Sequence, residues 1–292
     1  MSEAASSGPS APTVLRIILG KRLKALREAG GVSFDDAAKT LGVTPLTIRR
    51  MENAQVGLKV PYVKELLRRY GVEDEIDDFI EMAEKANKPG WWHPFRDSVP
   101  DWFRAYVALE TDARVIRVYE PHYVTGLLQT RDYARGVIRA GFPYESDEQL
   151  EHRVELRVRR QGLLDRADAP TMWVVLEETA LRRGIGGPEV MREQLDRIIE
   201  MSERPNFTLR IVPLAAGPHP TTGGHMTYFR FREPELQDIV YSEVGLTSAV
   251  YLDQRADVVA HLEAHTRTSR LASACIPDTR TYLRNLRKEL DR

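Results

Sequence analysis

The sequence predicts a multidomain protein with an all-α domain at its N-terminus and a larger domain of mixed α+β structure after it. The length of 292 residues suits two domains better than one. Residues 13–88 show only helical periodicity, whereas short β-rich runs alternate with helices over residues 89–292. Residues 1–12, mostly Ser, Ala, Pro and Gly, are predicted to form a disordered tail.

Composition excludes several classes of protein. With 42% hydrophobic and 29% charged residues, the chain has the composition of an ordinary soluble globular protein. Cys275 is the single cysteine, which excludes an internal disulfide and a cysteine-based metal cage. The tail lacks the basic start and apolar core of a signal peptide, and no apolar run approaches the ~20 residues that cross a bilayer. We therefore expect a cytoplasmic protein.

The first domain contains two amphipathic helices whose apolar residues recur at helical spacing. Gly30-Gly31 ends the earlier helix. Pro61 begins the later helix after a loop over residues 53–60. The residues predicted to face inward are Leu15, Leu19, Leu23 and Leu26 in the earlier helix, and Val63, Leu66, Leu67 and Tyr70 in the later one.

Between these helices the sequence predicts two short helices joined by a glycine turn. Ser33, with Asp36 three residues later, caps the first short helix. Gly42 lies in the turn, where a positive φ is expected. Thr44 caps the second short helix, and Pro45 occupies its first position, where no amide hydrogen is needed. This order is typical of a helix-turn-helix, whose second helix enters the major groove of DNA.

The charge of the first domain supports a DNA partner. Residues 13–70 carry twelve Lys and Arg against five Asp and Glu, a net charge of +7, although the whole chain has a net charge of −1. Phosphate binding favours such a local excess. Residues 71–90 carry seven acidic groups against two Lys, a net charge of −5, so the helix predicted there is expected to face away from DNA. Lys88-Pro89-Gly90 breaks that helix and marks the predicted domain boundary.

The first domain resembles the XRE family of helix-turn-helix regulators, the repressor-like group. The resemblance is carried by Gly31-Val32-Ser33, Ala37-Ala38, Leu41-Gly42-Val43-Thr44 and Ile48-Arg49-Arg50-Met51-Glu52-Asn53. It implies that the residues after the Thr44 cap read bases, and Lys59 in the following loop is predicted to hold a phosphate. The predicted DNA-contacting residues are Thr44, Pro45, Leu46, Thr47, Arg49, Arg50, Asn53 and Lys59.

The same resemblance implies a structural ion pair. This sequence also differs from the family at two places. The family pairs an arginine of the first helix with a glutamate that ends the recognition helix, and Arg27 and Glu52 match those positions. Phe34 occupies the position at which the family usually has a glutamine that binds a DNA phosphate. Pro45-Leu46 offers no hydrogen bonds to base edges, so readout is expected to depend on arginines and DNA shape. The alternative is a four-helix bundle that binds protein rather than DNA.

Helices and strands alternate in the second domain. Helices are predicted over residues 101–113, 147–164, 188–202, 253–274 and 278–290, and a turn entering another helix over 124–134. Strands are predicted over residues 115–120, 172–177, 207–212, 226–231, 239–243 and 248–251. Aromatic residues cluster at the start of this domain. Trp91, Trp92 and Trp102 are candidates for binding a partner or ligand, although such clusters more often form core or a domain interface.

The second domain resembles the C-terminal domain of unknown function found in many actinobacterial XRE regulators of the WhiJ-like, antitoxin-like group. The residues that carry this resemblance are Trp91-Trp92, Trp102-Phe103, Gly126-Leu127-Leu128-Gln129-Thr130, Tyr133-Ala134, residues 153–161, Glu177-Glu178, Leu181, His219-Pro220 and residues 241–243. Thr125 replaces the proline that usually begins the Gly-Leu-Leu-Gln-Thr string. The resemblance implies transcriptional control, often beside a small protein encoded nearby.

The second domain contains candidate catalytic residues but no catalytic motif. Glu177-Glu178 follows a predicted strand, and His219 and His225 flank a glycine-rich loop, so an acid–base or metal site could be drawn from them. The chain has no zinc-binding His-Glu-x-x-His, no phosphate-cradling glycine loop and no nucleophile elbow. We therefore predict no enzymatic activity, no cofactor and no metal.

Two functional hypotheses remain from the sequence, with a third more remote. The favoured one is a homodimeric, antitoxin-like DNA-binding regulator that is modulated by a small partner protein. The alternatives are a one-component small-molecule sensor and repressor, and a protein-interaction module without DNA binding. The dimer contacts are expected on the terminal helices, whose other role would be to cover the sheet. Their apolar residues are Val258, Val259, Leu262, Leu271, Leu283, Leu286 and Leu290.

Overall fold

A computed structural model describes residues 14–87, 94–95, 101–221, 223–232, 236–244 and 248–291. The chain forms two compact units. The first is Met1–Pro94, Arg104–Leu109 and Glu233–Leu236, and the second is Phe95–Phe103, Glu110–Arg232 and Gln237–Arg292. The predicted tail over residues 1–12 and the predicted boundary over residues 88–90 lie outside the described residues. No helix in the described ranges is long and apolar enough to span a membrane.

The first unit contains five helices along residues 14–87. They are α1 (Val14–Ala29), α2 (Phe34–Leu41), α3 (Pro45–Glu52), α4 (Val60–Tyr70) and α5 (Ile76–Asn87), with a 3₁₀ turn at Glu73–Glu75 before α5. Ser33 and Thr44 cap α2 and α3, since their hydroxyls accept hydrogen bonds from the amides of Asp36 and Thr47. Gly42 adopts φ 64° after α2, as the predicted turn requires.

One apolar core holds these five helices together. Its fully buried members include Leu19, Leu23, Ile48, Met51, Leu58, Val63, Leu66, Leu67, Phe79 and Ala83. The predicted inward-facing residues of α4 are buried, and α5 packs its apolar face on α1 and α4. The acidic residues of α5 lie on the opposite face, which follows from the helical spacing of its apolar residues.

Gly20 in the middle of α1 allows a close approach between two helices of this unit. A Cβ atom at Gly20 would lie 2.4 Å from the carbonyl oxygen of Glu52 and 2.9 Å from that of Met51. Glycine in a helix interior costs about 1 kcal/mol relative to alanine. The absence of a side chain at Gly20 therefore serves the contact between α1 and the end of α3.

The second unit is built on a six-stranded mixed sheet. Its strands are β1 (Ala113–Glu120), β2 (Thr171–Glu177), β3 (Phe207–Val212), β4 (Met226–Phe231), β5 (Ile239–Val244) and β6 (Ser248–Leu252), in the order β3-β2-β1-β4-β5-β6. The strands β1, β2 and β3 are parallel, whereas β4, β5 and β6 pair antiparallel. The predicted α+β class is confirmed.

The described residues after position 100 also form seven α-helices. They are α6 (Asp101–Asp112), α7 (Arg131–Gly141), α8 (Asp147–Arg160), α9 (Glu178–Arg182), α10 (Pro188–Met201), α11 (Arg255–Cys275) and α12 (Thr279–Glu289). The sequence does not predict the short helix α9, because five residues carry too little periodicity to distinguish a helix from a turn. The helix predicted to reach residue 164 ends at Arg160 and continues as a 3₁₀ turn.

The terminal helices pack within their own unit. Helix α11 packs across the strands β1 to β5, and α12 packs against α10 and β3. Val258, Leu283 and Leu286 are buried there, so these three cannot serve as dimer contacts. The role of covering the sheet accounts for them, whereas Val259 remains 44% exposed.

We predict that Gly20→Ala destabilises the protein even though alanine is the better helix former. The added methyl meets backbone carbonyls, which cannot change rotamer, so α1 and α3 must separate at a cost of about 1–3 kcal/mol. Urea unfolding of the full chain measures the change.

Gly141→Ala is the matched control, because Gly141 also lies in a helix and a Cβ atom there would have no neighbouring atom within 4 Å. That variant should be as stable as the wild type or more stable by up to about 1 kcal/mol. Equal stability of the Gly20→Ala and wild-type proteins would show that the close approach between α1 and α3 does not constrain the fold.

Candidate DNA-binding surface

Helix α3 presents two different faces. Ile48, Met51 and Glu52 are buried against the core of the first unit. The opposite face is exposed and consists of Pro45, Leu46, Arg49, Arg50 and Asn53. Leu46 is 53% exposed, so an apolar side chain forms part of this face. The predicted DNA-contacting residues of this helix therefore share one accessible surface, with the exception of Thr47.

Thr47 is less exposed than the other predicted DNA-contacting residues of α3. Its side chain is half-buried, and its hydroxyl lies 3.0 Å from the Thr44 hydroxyl. The Thr44 hydroxyl in turn accepts a hydrogen bond of 3.3 Å from the Thr47 amide. The Thr44 hydroxyl caps α3 and the Thr47 hydroxyl contacts it, an arrangement that favours a structural contribution from Thr47.

The ring of Phe34, one of the two differences from the family that the sequence resembles, contacts two arginines. The Arg27 guanidinium lies 4.0 Å from the Phe34 ring centroid, and the Arg49 guanidinium lies 5.2 Å from it. Cation–π contacts at such distances contribute about 0.5–1 kcal/mol at exposed sites. Through the second of these contacts, Phe34 lies beside the exposed side chain of Arg49 on α3.

Arg27 and Glu52 form a buried bidentate ion pair. Arg27 Nε lies 2.6 Å from Glu52 Oε1, and Arg27 Nη2 lies 3.0 Å from Glu52 Oε2. Arg27 Nη1 also donates to the Val32 carbonyl at 3.1 Å. The side chains of the pair are only 7% and 3% exposed, and the hydrogen bond to Glu52 raises the pKa of Arg27 against the effect of burial. This pair connects the end of α1 to the end of α3.

The structure uses several cations of the first unit internally. Buried Arg16 donates to the Ala86 carbonyl at 3.2 Å, and Arg22 lies 2.7 Å from Glu75. With Arg27 held by Glu52, three of the twelve cations counted in the sequence serve the fold. The charge available to phosphates is therefore smaller than the sequence count suggests.

Lys59 remains available at the start of α4. It is exposed, its backbone forms the N-cap of the helix, and its ammonium lies 5.3 Å from the Tyr62 ring. The amides at a helix N-terminus and the helix dipole attract anions, so Lys59 lies where a phosphate would be stabilised.

Two residues that shape this surface were missed from the sequence. Gly20 could have been found as a glycine inside a strong helical pattern, which signals a packing requirement. Ala54 adopts φ 57° directly after the recognition helix, a conformation usually given to glycine. The Gln55 amide donates to the Arg50 carbonyl at 2.8 Å and closes the helix there. No local sequence signal marks Ala54.

The aromatic candidates fall largely outside the described part of the chain. Trp91 and Trp92 are not among the described residues, and for Trp102 the description covers only the backbone, at the start of α6. These three residues stay predictions.

Two of the residues considered for catalysis, Glu177 and His219, contact each other, whereas Glu178 and His225 have other partners. Glu177 accepts a hydrogen bond of 2.9 Å from the Tyr119 hydroxyl and lies 2.9 Å from His219 Nε2. Glu178 turns the other way, accepting from the Leu214 amide at 2.9 Å and pairing with Arg182. Adjacent residues at a strand end point in different directions, so the two carboxylates do not converge.

A second histidine lies near a different carboxylate. His225 Nε2 is 3.5 Å from Glu120 Oε1. Burial lowers the pKa of His225, while burial and the nearby Glu243 raise the pKa of Glu120, so both groups favour their neutral forms. Within the described ranges, no three His, Cys, Asp or Glu side chains gather so that they could hold a metal ion.

Comparison with protein families gives two matches. Residues 103–284 match the family described as Domain of unknown function (DUF5753). Residues 18–79 match a family described as Helix-turn-helix domain. No match was found among curated proteins or among solved structures. The second match runs from the second turn of α1 through α4 to the start of α5, and it supports a DNA-binding regulator.

We predict a strong coupling between Arg27 and Glu52 in a double-mutant cycle. Arg27→Met or Glu52→Leu alone leaves a buried charge without its partner, which costs about 3–5 kcal/mol. The double variant should lose much less, because no unpaired charge remains. Urea unfolding of the full chain gives the four free energies of unfolding.

Arg22 and Glu75 provide the matched control, since their 2.7 Å ion pair has side chains that are 32% and 37% exposed. Its cycle should give a coupling of only about 0.2–1 kcal/mol. Comparable coupling in the two cycles would show that burial does not distinguish the Arg27–Glu52 pair.

Proposed function

Because this chain belongs to the family described as Domain of unknown function (DUF5753) and carries a helix-turn-helix domain, we propose that it is a sequence-specific transcriptional regulator of the XRE type. The observation that carries the proposal is the exposed face of α3, where two arginines project beside an exposed leucine and proline. A helix with a buried apolar face and a short exposed basic face is suited to the major groove.

Base reading is assigned to Arg49 and Arg50. Both are exposed, and neighbouring residues on a helix point about 100° apart, so the two guanidinium groups reach different positions in the groove. An arginine can donate two hydrogen bonds to guanine, which makes guanine the preferred base at each position. Leu46 can contact a thymine methyl, and Asn53 lies at the far end of the same face.

Phosphate binding is assigned to Lys59 and the N-terminus of α4. Phosphate contacts set the position of a protein on the duplex but carry no sequence information. Lys59 therefore contributes to affinity for every DNA sequence, whereas Arg49 and Arg50 contribute to the choice of sequence.

The second unit is assigned a regulatory role rather than a catalytic one. The resemblance to WhiJ-like, antitoxin-like regulators favours modulation by a small partner protein encoded nearby. The residues considered for catalysis do not converge on one site, since Glu177 contacts His219 while Glu178 pairs with Arg182. Trp91, Trp92 and Trp102 are the proposed partner-binding residues. We place the protein in the cytoplasm, where a bacterial operator is found, and assign it no cofactor.

A homodimer completes the proposal. One recognition helix contacts a short half-site, and two half-sites about one DNA turn apart require a second copy of the chain. The buried residues of α11 and α12 do not supply the contact, so it must use other exposed surface.

Arg49→Ala and Arg50→Ala should each weaken binding to the operator by about 1–3 kcal/mol and leave binding to random DNA nearly unchanged. Lys59→Ala should weaken both alike and reduce the salt dependence of binding by about one unit. The operator is first selected from random duplexes with the wild-type protein, and affinities are measured by fluorescence anisotropy at several salt concentrations.

Arg255→Ala, at an exposed arginine that begins α11, is the charge-matched control and should bind as the wild type does. Unchanged operator affinity in both recognition-helix variants would reject the assignment of α3. Failure of the selection to enrich any sequence would favour the protein-interaction module.

Light scattering should give the mass of two chains for the full-length protein at micromolar concentration.

Coexpression with the adjacent small reading frame should add the mass of the partner and alter the DNA shift. To move the protein from mostly bound to mostly free, the partner must prefer the DNA-incompetent arrangement by about 5 kcal/mol. A monomer, or a dimer that acquires no partner, would contradict the corresponding part of the proposal.

A further inference from the structure

A cavity of about 300 Å³ opens on one face of the sheet in the second unit. Three of its side chains form a row across neighbouring strands, because Arg117 on β1 is in register with Trp173 on β2 and with Tyr228 on β4. Arg114, Arg230 and Leu262 lie around the same cavity. Its volume is at the small end of the range for ligand sites, about 300–1,000 Å³.

Arg117 is the unusual member of this row. Its guanidinium lies 5.1 Å from the Trp173 ring, and Nη1 donates to the Thr266 hydroxyl at 3.3 Å. Its Nε atom is buried and has no hydrogen-bond partner. In the part of the chain that the structure describes, no carboxylate lies within ion-pair distance of Arg117. Burial lowers the pKa of Arg117, which shows that the surroundings disfavour its charge.

Three arginines are buried among the described residues: Arg27 and Arg160 each have a glutamate partner, and Arg16 donates to the Ala86 carbonyl. Arg27 pairs with Glu52, and Arg160 pairs with Glu110 through contacts of 2.8 Å and 2.7 Å, with side chains only 4% and 2% exposed. A buried charge is costly unless it is paired and hydrogen-bonded. At Arg117 the cavity offers room for an anion to take the place of the missing carboxylate.

The remaining charges around the cavity favour the same kind of ligand. Arg114 and Arg230 are exposed at the cavity, and Arg230 lies 2.8 Å from Asp238, which also accepts from the Tyr228 hydroxyl. Three arginines and one aspartate leave a formal charge of +2. This charge suits a carboxylate or a phosphate monoester and disfavours a cation.

The apolar lining indicates what the anion is attached to. Trp173 and Leu262 are half-buried at the cavity, together with Val115 on β1. Flat rings pack well against tryptophan, and ligand sites combine apolar walls with few convergent polar groups. We propose that this cavity binds a small aromatic oxyanion, with its carboxylate or phosphate group on the guanidinium of Arg117 and its ring against Trp173.

Isothermal titration of the full chain without DNA tests the proposal, so its failure is distinct from a failure of DNA binding. The probes are benzoate, phenyl phosphate, inorganic phosphate and benzylamine. Benzoate or phenyl phosphate should bind more tightly than inorganic phosphate, and the cationic benzylamine should not bind. Arg117→Met should lower the affinity about tenfold or more, because it removes charge-assisted hydrogen bonds. The control Arg255→Met removes the same charge elsewhere and should bind as the wild type does.

Thermal unfolding separates a binding role from a structural one. Without anion, Arg117→Met should melt at the wild-type temperature or above it, because a half-buried charge without a carboxylate partner is removed. With the probe bound, the wild type should gain more stability than Arg117→Met. Arg117→Lys keeps the positive charge but lacks the planar guanidinium that can donate two parallel hydrogen bonds. It should therefore bind the aromatic anions more weakly than the wild type does. Absence of binding by both aromatic anions at millimolar concentration, or equal affinity of Arg117→Met and wild type, would overturn the proposal.

Discussion

The buried ion pair between Arg27 and Glu52 is the contact on which the geometry of the first unit depends. Arg27 lies in the last turn of α1 and Glu52 ends the recognition helix, so the two bidentate hydrogen bonds fix the distance and the rotation between these helices. Gly20 permits the same helices to meet at the backbone, about two turns earlier in α1. A buried ion pair contributes little net stability compared with apolar packing, but it is satisfied in only one arrangement. In this unit it joins the last turn of α1 to the end of α3.

The exposed face of α3 follows from which of its residues are buried. With Ile48 and Met51 in the core, helical geometry directs Arg49, Arg50 and Leu46 outward. The ring of Phe34 contacts both the guanidinium of the ion-paired Arg27 and the guanidinium of the exposed Arg49. Phe34 thereby links the ion pair to the exposed face of α3 through its two cation–π contacts.

Two arginines of the second unit, Arg160 and Arg117, differ in whether a carboxylate pairs with the guanidinium. The Arg160 fork is satisfied by Glu110, so that charge is compensated within the unit. Arg117 lies beside Trp173, but its buried Nε atom has no partner. Local rules cannot tell these arginines apart, because each is one basic residue in a regular element. The difference lies in whether a carboxylate from another element reaches the guanidinium.

The sequence by itself determined the features that depend on neighbours a few residues apart. Helix caps at Ser33 and Thr44, the left-handed Gly42 and the strands at residues 207–212 and 226–231 were predicted with the observed positions. The ion pair of Arg27 with Glu52 came from a family resemblance, because nothing local links residues 25 positions apart.

Only the tertiary structure decided which side chains meet across elements. It placed Phe34 beside Arg49, buried Val258, Leu283 and Leu286 within their own unit, and aligned Arg117 with Trp173 and Tyr228. The physical reason is that periodicity and capping act along the chain over a few residues, whereas burial and charge pairing depend on strand register and helix packing, which distant segments set together.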